Sequence, residues 1–231
     1  FENKKLPYYA AEKRVDILLN LFLEEILSAI YESPAVYVTS EFPLKLGHNN
    51  QSNQMDYVCR LKGSNKVIFV ELKTDRKSIK QNQAKFYSNN KAWNKVIKNL
   101  KTKACGKSVD TNDRIKYYHL LTRLLKYGLI KYSNNVEPIQ KQLDQVLEIQ
   151  NPSKEQKGKR SRLIKQLYEI IEPVIPMESE IIYLLPADDQ TENELVKFGI
   201  RPVSFRSIQE LSLSTTYVEE WKKLISCLSQ I

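Results

Sequence analysis

Two carboxylates and a lysine stand out by type and spacing. Asp56 opens one β-like run (55–61, MDYVCRL), and Glu71 and Lys73 close the next (66–73, KVIFVELK), fifteen residues further on. Gly63-Ser64-Asn65 between them reads as a tight turn. Strand side chains alternate, so Val67, Phe69, Glu71 and Lys73 share one face, apolar at first and charged at its last two positions. Burying such charges costs on the order of several kcal/mol unless they are paired or metal-bound. If the hairpin register brings Asp56 to Glu71, the pair repels unless a cation lies between, and hard oxygen ligands select Mg2+ or Mn2+. Lys73 can then hold an attacking water or steady the charge on a phosphorane. This is the equipment for metal-assisted hydrolysis of a phosphodiester. Glu-x-Lys alone would read as an exposed strand end with an ordinary ion pair. The upstream aspartate, the hairpin signal and the apolar lead-in weigh against that.

The elements around the hairpin follow from periodicity. Residues 8–32 predict a helix, with Val15, Leu18, Leu19, Phe22, Ile26, Ala29 and Ile30 on one arc. Glu25 lies at the edge of that arc, as a site carboxylate or a solvated flank, and Glu24 points nearly opposite. Ser33-Pro34 ends the helix. Residues 35–46 predict a strand interrupted at Pro43 and carrying Glu41, and the polar stretch GHNNQSNQ, with His48 as a surface residue, predicts a loop. VIFV reads as a central strand. Residues 76–104 turn helical, with Phe86, Trp93, Val96, Ile97 and Leu100 as a buried stripe and Lys91, Lys95 and Lys98 on another face. Helices are expected at about 112–132, 137–149 and 161–173, with a basic loop at 151–160. EIIYLLP (180–186) is a strand, 190–198 a helix, and 199–211 a strand passing into a turn or helix. A last helix at about 215–229 is expected to bury Val218, Trp221, Leu224 and Ile225.

This order predicts an α/β fold, a sheet flanked by helices. The 231 residues make one domain with a mainly helical insertion at about 105–175. With 42% hydrophobic and 27% charged residues the composition is that of an ordinary globular chain. No apolar run approaches the roughly 20 residues of a membrane span, and FENKKLPYY shows no secretory signal pattern. Three scattered cysteines, Cys59, Cys105 and Cys227, make no disulfide framework or zinc cluster and suit a cytoplasmic, reducing interior. Cys59 and Cys227 read as buried, inert thiols. The net charge of +9 is uneven: residues 76–170 hold 22 Lys+Arg against 7 Asp+Glu. A basic middle beside an acidic remainder suits a polyanion-binding surface near a cation site, although a lysine-rich solvated helix face looks the same.

Asp56 followed by Glu71-Leu72-Lys73 on the next strand resembles the PD-(D/E)xK nuclease superfamily. Gln83-Ala84-Lys85-Phe86-Tyr87, beginning ten residues after Lys73, resembles the Q-x-x-x-Y motif of its RecB-like branch. Gln83 and Tyr87 are i and i+4 and share a helix face, although Tyr87 alone would serve as a core residue. The resemblance covers about residues 10–90, with EIIYLLP as a further core strand, and implies a restriction-endonuclease-like core with a central mixed β-sheet. It implies that Asp56, Glu71 and the Leu72 carbonyl hold the metal. It further implies that Lys73 polarises the water, that Gln83 and Tyr87 support the site, and that Glu25 or Glu41 supplies an additional acid. Met55 stands where the namesake proline would be, and too few cysteines are present for an iron–sulfur cluster. No helicase motif is present.

The expected activity is therefore metal-dependent nuclease action, with DNA favoured as substrate and Mg2+ or Mn2+ as cofactor. Lys91, Lys95 and Lys98, with Lys157, Lys159, Arg160, Arg162 and Lys165, would track phosphates or form solvated faces. Tyr117, Tyr118, Tyr127 and Tyr132 would stack on unpaired bases or pack in the core. The alternative is a catalytically inactive nuclease-fold module that binds nucleic acid, or a partner protein in a repair or defence complex through its helical insert. No membrane partner is expected.

Overall fold

The computed structural model describes residues 8–45, 53–75, 78–106, 113–187, 189–213 and 216–229. Within them the chain divides into two compact units. The first holds the described residues of the spans 1–42, 55–91 and 178–231, and the second those of 43–54 and 92–177. His48 and most of the GHNNQSNQ stretch lie outside the described residues.

The first unit is built on a five-stranded mixed sheet in the order β1-β2-β3-β6-β7. Its strands are β1 (Ala35–Lys45), β2 (Asn53–Leu61), β3 (Lys66–Leu72), β6 (Glu178–Leu185) and β7 (Arg201–Ser204). β2 and β3 are antiparallel, whereas β3–β6 and β6–β7 are parallel, with α7 (Asp189–Lys197) between the last two and the short α8 (Phe205–Gln209) after β7. Gly63 turns the hairpin at φ 73, a left-handed value that glycine adopts without a Cβ clash. β1 runs through Pro43 without the expected interruption; it is an edge strand, where a proline is tolerated when its nitrogen faces away from the single neighbour. The kink comes two residues earlier, at Glu41, where φ is 50. Ser40 and Glu41 are both exposed, a break in alternation of the kind a bulge makes.

The two sheet faces are covered differently. Helix α1 (Tyr8–Tyr31) buries Val15, Leu19, Phe22, Leu23, Ile26 and Leu27 at spacings of three and four. These join Tyr57, Cys59, Ile68, Val70, Leu72, Ile182 and Leu184 in one core cluster with Leu224 and Leu228 of α9 (Val218–Leu228). Phe22 meets Trp221 edge-on at 5.2 Å. Relative to the expected arc, Leu23 and Leu27 turn inward and Ala29 is exposed, because the stripe must also serve α9. Val218 is half exposed, with Leu228 buried in its stead. Cys59 is fully buried, which pushes its thiol pKa up, whereas Cys227 is only half-buried. The opposite face carries Val67, Phe69, Glu71, Ile181, Tyr183 and Leu185, with Phe42 against Phe69 and α2 (Gln81–Asn90) bringing Tyr87 against Tyr183.

The helical texture of 76–104 is two helices rather than one, α2 and α3 (Trp93–Ala104), separated at Lys91-Ala92. The second unit gathers α3, α4 (Asp113–Lys126), α5 (Glu137–Leu147) and α6 (Lys154–Glu169). Where a helix to 132 and another to 173 were expected, β4 (Ile130–Tyr132) and β5 (Ile171–Pro173) pair antiparallel, Tyr132 facing Ile171. A Trp93 ring nitrogen donating to the Leu129 carbonyl at 2.9 Å ties α3 to the start of β4. The expected loop at 151–160 is mostly helix. Ser153 accepts from the Gln156 N–H while the Gln156 side chain accepts from the Ser153 N–H, a capping box that starts α6 despite Gly158. Ser153→Ala is expected to cost about 1 kcal/mol, read as a lower urea midpoint at unchanged slope. Among the described residues no helix is long and apolar enough to cross a membrane.

Candidate active site

The hairpin register brings the two carboxylates together. Tyr57 pairs with Val70 and Val58 with Phe69, so one further step sets Asp56 across from Glu71. The Leu72 N–H points to the β2 side, donating to Asp56 Oδ2 at 2.6 Å, while the Lys73 N–H points to β6, donating to the Leu184 carbonyl at 2.8 Å. Backbone groups alternate sides along a strand. Asp56 and Glu71 therefore form a non-hydrogen-bonded cross-strand pair, the kind whose side chains lie closer. The Leu72 carbonyl faces the same side as its N–H, toward Asp56.

Glu71 is 3% exposed. Its Oε1 is 2.7 Å from Lys73 Nζ and accepts from Gln83 Nε2 at 3.1 Å. The same amide donates to the Tyr87 hydroxyl at 2.7 Å, so the helix spacing of Gln83 and Tyr87 is used in full. Glu71 Oε2 is buried and has no hydrogen-bond partner among the described residues. Burial and, next, the Asp56 carboxylate push the Glu71 pKa up to about 7 against the opposing pull of Lys73 and Gln83. A carboxylate held this way is poorly compensated, and a cation is what would compensate it.

The site thus joins Asp56, Glu71, Leu72, Lys73, Gln83 and Tyr87 from β2, β3, the residue after β3, and α2. It does not include Glu25 or Glu41. α1 packs on the other sheet face, and its acid near this end of β2 is Asp16, which accepts a hydrogen bond from the Tyr57 hydroxyl. Glu24 accepts from the Tyr37 N–H at 2.7 Å. Glu25, nine residues beyond Asp16, is therefore about 13 Å further along the helix. Glu41 is exposed at the β1 kink. Sequence reasoning missed Tyr183, which pairs in register with Glu71 on β6 and whose hydroxyl is buried without a partner among the described residues. Its signal was a phenol in the middle of an otherwise aliphatic strand.

A divalent cation fits this donor set by its chemistry. Two carboxylates and a backbone carbonyl are hard oxygen ligands, and one carboxylate oxygen is buried without a partner. Among the described residues no group of three or more His, Cys, Asp or Glu is arranged for a metal. The remaining ligands would have to be water or substrate oxygens, as is usual for Mg2+.

In the second unit the residue count is 18 Lys+Arg against 8 Asp+Glu, a net of +10. Lys95 and Lys98 are exposed on α3. Lys91 does not share their helix face: it sits in the break after α2 and donates to the Gly199 carbonyl at 2.9 Å. Lys159 and Arg162 are exposed on α6, Lys157 is half-buried, and Lys165 faces Glu169 at 3.7 Å. Arg160 turns its Nε inward. The tyrosines have structural contacts. Tyr117 meets Tyr168 edge-on at 6.1 Å, the Tyr118 hydroxyl accepts from Gln140 at 3.0 Å, Lys126 lies over Tyr127, and Tyr132 is half-buried on β4. Compared with known proteins, the chain matches no family model, no curated protein and no solved structure.

Proposed function

We propose that the protein is a divalent-metal-dependent nuclease with a restriction-endonuclease-like core, hydrolysing phosphodiester bonds in nucleic acid, with DNA the favoured substrate. One observation carries this reading. A half-buried Asp56 set across from a buried Glu71, which is braced by Lys73, Gln83 and Tyr87, leaves Glu71 Oε2 without a hydrogen-bond partner among the described residues. A structural ion pair has no use for the second acid.

In this reading Asp56, Glu71 and the Leu72 carbonyl hold Mg2+ or Mn2+. The bound ion supplies Lewis acidity toward a phosphoryl oxygen and a more acidic water. Gln83 uses both amide protons to fix Glu71 Oε1 and the Tyr87 hydroxyl, which keeps Glu71 from rotating away. Lys73, positively charged and near the carboxylate, orients the attacking water and steadies charge on the phosphoryl group. The exposed cations Lys95, Lys98, Lys159 and Arg162 supply salt-dependent, largely sequence-independent affinity for phosphates.

The test is incubation with linear, circular and single-stranded DNA and with RNA, in Mg2+, Mn2+ or chelator. Cleavage in metal alone, reduced at least about a hundredfold by Asp56→Ala and by Lys73→Ala, is the expected result. Circular substrate separates endonuclease from exonuclease action. The Lys73 Nζ contact with Glu71 Oε1 at 2.7 Å favours a second reading, a self-neutralised, inactive module that binds nucleic acid. Salt-dependent binding with no cleavage of any substrate in either metal would select it.

A further inference from the structure

Two buried polar atoms on the site face of the sheet share one unmet requirement. Glu71 Oε2 and the Tyr183 hydroxyl both lack a hydrogen-bond partner among the described residues. They belong to residues paired in register on adjacent parallel strands, Glu71 on β3 and Tyr183 on β6, so their side chains leave the sheet on the same side. Tyr183 is fully buried and its ring is held edge-on by Tyr87 at 6.4 Å, which fixes where the hydroxyl points. Neighbouring strands lie about 4.8 Å apart, and neither atom is within bonding distance of the other.

A buried hydroxyl left unsatisfied is costly and a buried carboxylate oxygen more so, so two of them beside each other make a poor core. A single water between them satisfies the hydroxyl and one lone pair of the carboxylate oxygen, leaving another lone pair for a cation: it accepts from the Tyr183 O–H and donates to Glu71 Oε2. A phenolic hydroxyl carries a proton to donate at neutral pH. It is therefore a donor, which is the role the arrangement requires. Among the described residues, no other residue paired in register with Glu71 or Tyr183 carries a buried side-chain oxygen or nitrogen that lacks a hydrogen-bond partner.

We infer that Tyr183 is a positioning residue: through one shared water its hydroxyl holds the second oxygen of Glu71 in the orientation a divalent cation needs. The inference rests on the nuclease reading and adds a residue to it. Groups that orient a metal ligand from behind are worth about ten- to a hundredfold in metal affinity or activity. Tyr183→Phe keeps the ring, its packing on Tyr87 and the strand, and removes only the hydroxyl.

The experiment measures Mn2+ binding to the full chain by the electron paramagnetic resonance signal of free Mn2+, together with thermal midpoints in chelator and cleavage rates across Mn2+ concentration. Tyr183→Phe is expected to raise the half-saturating Mn2+ concentration about tenfold or more, with the cleavage rate at saturating metal changed much less. An unchanged Mn2+ affinity, with a higher thermal midpoint from losing an idle buried hydroxyl, would overturn the assignment while leaving the nuclease reading intact. Wild-type protein that neither binds Mn2+ nor cleaves any substrate would overturn both, so the two failures are distinguishable.

Discussion

Glu71→Gln is expected to reduce metal-dependent cleavage about a thousandfold without unfolding the chain. The amide has nearly the shape of the carboxylate and still offers an oxygen to Lys73 and Gln83, whose contacts at 2.7 and 3.1 Å both go to Oε1. What it removes is the charge, and with it the second anionic oxygen donor beside Asp56. Asp56 would remain anchored by the Leu72 N–H at 2.6 Å, so loss of activity would reflect the missing charge rather than a displaced partner. Circular dichroism and single-turnover cleavage of labelled DNA in Mn2+ make the measurement. Cleavage retained to within about tenfold would remove Glu71 from the proposed metal set.

The same carboxylate should leave a pH signature on stability in the absence of metal. Its pKa is raised from the ordinary 4.5 to about 7, first by burial and then by Asp56. Between those values the native state holds a proton that the unfolded chain has released. Stability from this group is therefore fully present below pH 4.5 and lost as pH rises through about 7. The gap corresponds to roughly 3 kcal/mol. Urea unfolding of wild type and Glu71→Gln in chelator, at pH values from 4 to 8, isolates it: the wild type should lose roughly this much relative to the variant across the series. A difference that stays flat across the series would mean that the carboxylate is already compensated within the protein. Added Mg2+ should restore stability at pH 8 and do little at pH 5, because only the ionised form attracts it.

The legible parts of the site were those set by local spacing. Alternation along β3 put Glu71 and Lys73 on one face, and the i, i+4 spacing of Gln83 and Tyr87 let one amide bond both the tyrosine and Glu71. The misread parts were those where a neighbour decides. Glu25 met the criterion of lying at the edge of an apolar arc, but nothing in α1 says which sheet face that arc covers. Lys91 kept the spacing of Lys95 and Lys98, yet the helix breaks between them. The basic run 151–160 looked like loop because of its charge and Gly158, whereas the Ser153–Gln156 capping box starts a helix there. Residues 130–132 and 171–173 were too short to read as strands, because their stability comes from pairing with each other.

Sequence alone determined the α/β class, the hairpin, the shared strand face of Glu71 and Lys73, and the helix face of Gln83 and Tyr87. These depend on periods of 2.0 and 3.6 residues and on residue type, which are properties of short segments. Only the tertiary structure decided that Asp56 meets Glu71, that α1 covers the opposite face, and that Tyr183 stands beside the pair with its hydroxyl buried. Register and strand order are set by contacts between segments far apart in the chain, more than a hundred residues for Glu71 and Tyr183, and no local pattern records which strands become neighbours.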